Sequence, residues 1–197
     1  MQTEFCKPRV VLMTDEIKQI ANVDEFRALA HPLRVQLLGA LREHGPATAT
    51  ELAQRFATDT GSTSYHLRKL AEFGFIAETG EPGHPRARRW QAVHRLTDWD
   101  PVAMAGSAQG REAVAVIRRQ QVETLAADIR AYEAAETTLP TEWIEASGVG
   151  DLVVRLTPTS LNQLWQRFYA HVDELVAHDA GATDARTVSV IVSGLPR

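Results

Sequence analysis

The chain has 197 residues, of which 44% are apolar and 23% are charged, and its formal net charge is −4. This length suits one large or two small domains, and the apolar content excludes a disordered, tail-like protein. The single cysteine, Cys6, excludes an intramolecular disulfide framework and a thiolate-rich metal site built by one chain. The first residues lack the apolar core of a signal peptide, and no stretch is apolar for long enough to span a membrane. We therefore expect a cytoplasmic protein that does not contact a membrane.

Charge is distributed unevenly along the chain. Residues 1–95 carry 13 basic and 11 acidic side chains, whereas residues 96–197 carry 8 and 14. Within residues 60–95, six basic side chains stand against three acidic ones. A compact basic region inside an acidic protein indicates a localised contact with nucleic acid, despite the negative total.

The first half of the chain predicts four helices and two strands. Within residues 9–21, VVLM fits a strand and TDEIKQI a helical turn, and Asn22 is a suitable N-cap for a helix near residues 22–30. Pro32 fits the first turn of a second helix, which Gly45–Pro46 ends. The pair Thr48 and Glu51 forms a capping-box pattern for a short third helix.

The fourth helix is predicted over residues 60–73, with Thr60 as its N-cap and Gly74 after its last turn. Its periodicity places Thr63 on the same face as Leu67 and Leu70, which favours a core contact for Thr63. Two short strands follow, FIAET and ARRWQAV, joined by the Gly- and Pro-rich turn GEPGHPR. Residues 22–94 thus predict four helices followed by a hairpin.

The second half predicts a long helix over residues 111–136, because Gly106 and Gly110 weaken any helix before residue 111. Residues 151–156 predict a strand, Thr157–Pro158 begins an amphipathic helix, and residues 186–192 predict a final strand. The expected fold class is mainly α (α+β), in three parts. These are an N-terminal domain over 1–96, a linker and long helix over 97–140, and a strand-helix-strand extension over 141–197.

Two short helices, the second with exposed polar side chains, form a helix-turn-helix pattern, and a basic hairpin directly after them makes it a winged version. A helix of this kind fits the major groove, where small polar side chains reach base edges while flanking arginines pair with phosphates.

Three segments in order resemble the ArsR family of winged-helix transcriptional regulators. They are ALAHPLRVQLLGAL (28–41), TATELAQRFATDTGSTSYHLRKLAEFGFI (48–76) and EPGHPRARRW (81–90). Further on, LVVRLTPTSLNQLWQRF resembles the C-terminal extension of some longer bacterial members. The resemblance implies a homodimer that binds double-stranded DNA, with its interface at the helix near 22–30 and the long helix over 111–136. Repression by blocking a promoter is the usual family mode.

The same resemblance places DNA contacts on the fourth helix and on the wing. The implied residues are Ser62, Ser64, Tyr65, His66, Arg68 and Lys69 on the helix, and Arg86, Arg88 and Arg89 on the wing. For the wing arginines, the alternative is an ordinary solvated hairpin tip. His66 has two readings of equal weight, a phosphate contact or a contact between helices.

Metal-sensing members of the family carry paired cysteines before the recognition helix, or Asp and His ligands on the dimer helix. The corresponding stretch ELAQRF (51–56) has no cysteine, and residues 111–136 have no histidine. A second candidate, His171 with Glu174 and His178, more often forms a solvated helix face. We expect no metal and no cofactor. Cys6 is inert or, alternatively, a redox-sensitive or cross-linking thiol.

The four tryptophans offer candidates for an effector site. Trp90 and Trp165 fit core positions, whereas Trp99 and Trp143 fall in segments that predict no regular structure and are the candidates for binding a small organic molecule.

Three classes of function compete. A DNA-binding regulator agrees with every motif above, whether or not its C-terminal half also binds an organic effector. An enzyme is disfavoured, because the sequence has no nucleophile elbow, no phosphate-binding glycine loop and no paired carboxylates in a recognisable site. A winged-helix module that binds protein would have an apolar recognition face, and this one carries Ser, Tyr, His, Arg and Lys.

Overall fold

The computed structural model describes residues 17–79 and 88–196. The described residues divide into two compact units, one over 17–122 and one over 123–196. The interpretations of residues 9–16, of Cys6 and of Arg86 fall outside the described residues.

The first unit alternates short helices with short strands. In chain order its elements are β1 (Ile17–Ile20), α1 (Val23–Leu29), α2 (Pro32–His44), β2 (Ala47–Thr48), α3 (Ala49–Arg55), α4 (Thr60–Glu72), β3 (Ile76–Thr79), β4 (Arg89–Ala92), β5 (Leu96–Trp99), α5 (Pro101–Ala105) and the start of α6 (Ala108–Ala135).

Side-chain caps fix where these helices begin. Asn22 accepts a hydrogen bond from the Glu25 amide at 2.9 Å at the start of α1, and both hydrogen bonds of the predicted capping box are present at α3. At α4 the cap is Asp59 rather than Thr60, because the Asp59 carboxylate accepts a hydrogen bond from the Ser62 amide at 2.6 Å. Each cap satisfies amides that the first helical turn leaves without an intrahelical partner.

Two small sheets connect the helices. Strands β2, β4 and β3 form an antiparallel sheet in that order, and β3 and β4 flank the wing. Strand β1 pairs in parallel with β5, so that Ile17 lies opposite Leu96. This second pairing makes residues 17–20 a strand where a helical turn was expected, and it was not predicted because its two strands lie far apart in the sequence.

One hydrophobic core unites the helices and the wing strands. Its fully buried side chains include Phe26, Leu37, Leu67, Leu70 and Phe75. Gly74, after α4, has a φ of 70°, a left-handed conformation that glycine adopts without a Cβ penalty. The core therefore holds α4 by one face and turns the chain directly into β3.

Helix α6 begins at Ala108 rather than at residue 111. Gly110 lies against the backbone of Met104 in α5, where a Cβ atom would come 3.0 Å from the Met104 carbonyl carbon. The glycine that was expected to weaken the helix permits α5 and α6 to pack closely. No helix within the described ranges is long and apolar enough to cross a membrane.

The second unit is helical and contains the end of α6, α7 (Thr141–Ala146) and α8 (Pro158–His178). The strands predicted over 151–156 and 186–192 are wrong, because both segments run without regular secondary structure. Their β-branched residues favour strands, but a strand forms only when another segment pairs with it, and neither segment is paired within the described part of the chain. The class as a whole, mainly α with a few strands, is confirmed.

Candidate nucleic-acid interface

Helix α4 presents one buried face and one open face. Thr63, Leu67 and Leu70 are fully buried, and the Thr63 hydroxyl donates a hydrogen bond to the Asp59 carbonyl at 3.0 Å. The expectation that Thr63 is a core contact is therefore confirmed. Because α4 is tied to the core along this whole face, the opposite face is held rigidly outward.

The open face carries most of the side chains predicted to contact DNA. Tyr65 and Arg68 are exposed, and Ser62, Ser64 and Lys69 are partly exposed. The Lys69 ammonium donates a hydrogen bond to the Glu72 carboxylate at 2.7 Å, and this bond raises the pKa of Lys69. Short hydroxyls beside one aromatic and two cationic side chains provide both donors and acceptors for base edges and phosphates.

His66 differs from its neighbours on α4 because its side chain is buried. Its ring lies 4.4 Å from the ring of His31, centroid to centroid, and 3.4 Å separates its Nδ1 from the Arg34 guanidinium. Burial, followed by the charges of His31 and Arg34, lowers the pKa of His66. Of the two readings of this histidine, the geometry favours the contact between helices.

Arg34 is a residue that the sequence did not single out. It lies on α2, and its guanidinium donates to the Arg27 carbonyl at 3.1 Å while approaching His66. Burial lowers the pKa of Arg34, and the neighbouring Tyr65 opposes that shift. Arg34 thus adds positive charge beside the open face of α4. Only the packing of α2 on α4 brings it there, so no local sequence signal identifies it.

The wing strands hold their arginines in ion pairs. The Arg88 Nε lies 2.6 Å from the Glu78 carboxylate, and the Arg88 guanidinium stands 5.9 Å from the Trp90 ring. Arg89 contacts Glu51 of α3 at 3.4 Å and donates to the Pro46 carbonyl at 2.5 Å. Both side chains remain exposed, so each carries its charge at the surface while anchoring the base of the wing.

Arg42 ties α2 to the strands behind the wing. It donates to the His94 carbonyl at 2.9 Å and to the Thr97 hydroxyl at 2.8 Å. Burial lowers its pKa to about 10. A buried guanidinium with two such bonds has a structural role and takes no part in the open face.

The two tryptophans proposed for an effector lie in regular elements, so the expectation of irregular segments is wrong. Trp99 is on β5 and packs edge to face on Phe26, with centroids 5.0 Å apart, as part of the core surroundings. Trp143 is on α7, with the Arg186 guanidinium 5.5 Å from its ring. The predicted core position of Trp90 is confirmed by its burial.

The His171–Glu174 pair of the second candidate metal cluster is a surface contact of 3.3 Å on α8. In the parts of the chain that the structure describes, no three His, Cys, Asp or Glu side chains converge in a geometry that would hold a metal ion.

The helices around α4 have a counterpart among known protein families. Residues 29–79 match the family model of a helix-turn-helix domain. A crystal structure of an ArsR family transcriptional regulator is 27% identical, covers 52% of this chain and 87% of its own, and superposes with a TM-score of 0.30. A crystal structure of another transcriptional regulator is 20% identical to this chain. The match covers 81% of this chain and 90% of the other, and the two superpose with a TM-score of 0.28. No curated protein matches the chain.

A helix-turn-helix whose second helix is followed by an antiparallel hairpin defines a winged helix-turn-helix protein. The chain therefore carries a winged helix-turn-helix domain, the fold expected from its resemblance to ArsR-family regulators.

Proposed function

We propose that the protein acts as a homodimeric repressor that reads a pseudo-palindromic operator through the helix over residues 60–73 and the wing over residues 81–90. The observation that carries this proposal is the division of α4 into a buried apolar face and an open polar and basic face. Such a helix enters the major groove without disturbing the core that holds it.

Each side chain of the open face has a distinct task in this proposal. Ser62, Ser64 and Tyr65 meet base edges, because short hydroxyls and a phenol donate and accept at groove distance. Arg68 and Lys69 pair with phosphates. His66 positions α4 through its stack on His31 and does not contact DNA directly.

The wing contributes phosphate contacts from Arg86, Arg88 and Arg89. Their predicted role is supported by the exposure of Arg88 and Arg89, although each also pairs with a carboxylate in the free protein. Exchanging an exposed carboxylate for a phosphate costs little, since exposed ion pairs contribute about 0–1 kcal/mol.

Dimerisation through residues 22–30 and 111–136 supplies the second recognition helix. Along α6, Val122 is 67% exposed, and Leu125, Ile129 and Tyr132 are only half-buried. An unpartnered apolar stripe of this kind favours association with a like helix. A two-fold dimer then presents two α4 helices to half-sites about 34 Å apart.

The alternative of a protein-binding module is disfavoured, because the open face of α4 is polar and basic. A regulator that responds to a small organic effector is supported at Trp143, whose ring faces the Arg186 guanidinium in the second unit. Aromatic and cationic groups together suit a planar anionic molecule. Trp99, in contrast, is engaged with Phe26.

Binding to DNA from upstream of the protein's own coding region tests the proposal. Fluorescence anisotropy is measured with that DNA and with a scrambled duplex of equal length, at several salt concentrations. We expect the specific duplex to bind at least 1,000-fold more tightly at about 0.15 M salt. Equal affinity for both duplexes would contradict sequence-specific reading. A promoter-reporter assay in which expression rises with the protein would contradict repression.

A further inference from the structure

The described residues of the second unit, 123–196, form no buried core. From Glu123 to Pro196 no described residue is buried. Twelve of the sixteen exposed large hydrophobic side chains lie between residues 149 and 195. They include Leu152, which is 82% exposed, and Val153, which is 69% exposed. Apolar surface of this extent marks an interface in a soluble protein.

The apolar side chains are concentrated in two extended segments, residues 149–156 and 187–195, and on α8. Neither segment has regular secondary structure. Val188, Val190 and Val192 recur at every second position, as in a strand, whereas Leu152, Val153 and Val154 are consecutive. Among the described residues, no backbone hydrogen bond outside the helices and strands involves residues 149–156. An extended segment outside any sheet is a template for strand pairing.

The charges within residues 149–156 indicate which partner fits. This segment has one acidic side chain, Asp151, and one basic side chain, Arg155. Both are exposed, and within the described chain neither forms an ion pair. Val153 lies midway between them, so the segment is charge-complementary to a reversed copy of itself.

We propose that residues 151–155 pair with the same residues of a second copy of this chain, as antiparallel strands about a two-fold axis at Val153. This register sets Asp151 opposite the partner's Arg155, and Arg155 opposite the partner's Asp151. Leu152 then lies opposite the partner's Val154. Shifting the register by one or two residues removes both ion pairs, so the charges select one arrangement.

The strand pair is a second contact within the proposed homodimer, and it rests on that proposal. A pair of such short strands buries too little surface to hold two chains together by itself. It therefore adds to the contact proposed for α6. The negative charge of residues 96–197 disfavours DNA as the occupant of this surface.

Charge reversal tests the register in the full-length chain. We measure the dimer dissociation constant by analytical ultracentrifugation for Asp151→Arg, for Arg155→Asp and for the double variant. Each single change turns two cross-strand attractions into repulsions, so we expect dissociation constants raised about tenfold, with recovery in the double variant. Asp184→Arg, an equal charge change at another exposed position, should leave the constant unchanged.

An equimolar mixture of the two single variants gives the sharpest result. One chain then carries two arginines and the other two aspartates, so the mixture should form heterodimers more tightly than either variant forms homodimers. Circular dichroism checks that each variant is folded.

Cross-linking supplies a second measurement that leaves the charges intact. In a Cys6→Ser background, Val153→Cys should form a disulfide-linked dimer under mild oxidation, because directly opposed residues stand about 4.5–5.5 Å apart between Cα atoms. Leu152→Cys, which is offset from its own copy, should cross-link much more slowly.

The outcomes separate the two proposals. A wild-type chain that stays monomeric at every concentration overturns the homodimer and this inference together. A dimer that tolerates both single reversals, or a mixture without preferred heterodimers, overturns the strand pair alone. If deleting residues 1–16 abolishes the change in dissociation constant caused by the charge reversals, the segment pairs with the chain's own N-terminus and the proposal is overturned. If that change is seen only when a second protein is present, the second protein is the partner and the proposal is likewise overturned.

Discussion

The imidazole rings of His31 and His66 stack with their centroids 4.4 Å apart. This contact holds the N-cap residue of α2 against the middle of α4. Burial lowers the pKa of His31, and the charge of Arg34 lowers it further. Burial also lowers the pKa of His66, followed by the charges of His31 and Arg34. Helix α4 is thus held by two stacked rings whose protonation is disfavoured by burial and by the Arg34 guanidinium.

This stack predicts that the first unit loses stability in mild acid. Above the unfolded-state pKa of about 6.5, both histidines are neutral whether the chain is folded or not. As the pH falls below that value, the unfolded chain binds protons more readily than the folded one, so the free energy of unfolding decreases. Thermal unfolding followed by circular dichroism at pH 7.5 and 5.5 measures the loss.

The variant His66→Asn should reduce that pH dependence, at the expense of some stability at pH 7.5. Replacing the exposed His171 with Gln is the matched control and should leave the pH dependence unchanged. A pH dependence that survives in His66→Asn and in His31→Asn alike would show that other groups cause it.

How much of this fold the sequence predicts depends on how local each signal is. The caps at Asn22 and Thr48 are encoded within four residues, and both are confirmed. The parallel pairing of Ile17 with Leu96 joins distant strands, and no periodicity reveals it. The strands predicted over 151–156 and 186–192 rest on the residue types within each segment, which do not identify a pairing partner.

The candidate site follows the same rule. The buried face of α4 follows from the helical spacing of Thr63 and Leu67, and the structure confirms it. The burial of His66 depends on His31, which α2 brings from another part of the chain. The approach of Arg34 to that ring has the same non-local origin.

Replacing Arg68 with Ala should weaken binding to all DNA sequences by a similar factor. Arg68 is exposed on the open face of α4, where a guanidinium suits a phosphate. Removing one phosphate contact lowers the slope of log affinity against log salt by about 1 per subunit. Anisotropy titrations over a range of salt concentrations measure this slope. Arg167→Ala, which removes an exposed arginine of α8, is the control, and an equal slope in both variants would argue against the phosphate contact.

Replacing Asp59 with Ala should lower the free energy of unfolding by about 0.5–2 kcal/mol, the usual cost of losing an N-cap. The carboxylate accepts the Ser62 amide at 2.6 Å, and this amide has no other partner in the first turn of α4. Asp59→Asn keeps an acceptor oxygen and should cost only a few tenths of a kcal/mol. Urea unfolding compares the two variants, and equal losses would show that charge rather than capping matters at this position.

The glycines Gly110 and Gly39 both lie within helices but should respond in opposite directions to replacement by Ala. At Gly110 a Cβ atom would collide with the Met104 backbone, and backbone gives way less readily than a flexible side chain. Gly110→Ala should therefore push α5 from α6 and destabilise the first unit by about 1–3 kcal/mol, as overpacking does. Gly39 is exposed in α2 with nothing within 4 Å of its Cβ position. Gly39→Ala should stabilise the unit by about 0.5–1 kcal/mol, because alanine loses less backbone entropy in a helix. Urea unfolding of both variants gives the two signs, and stabilisation by Gly110→Ala would contradict the close contact between α5 and α6.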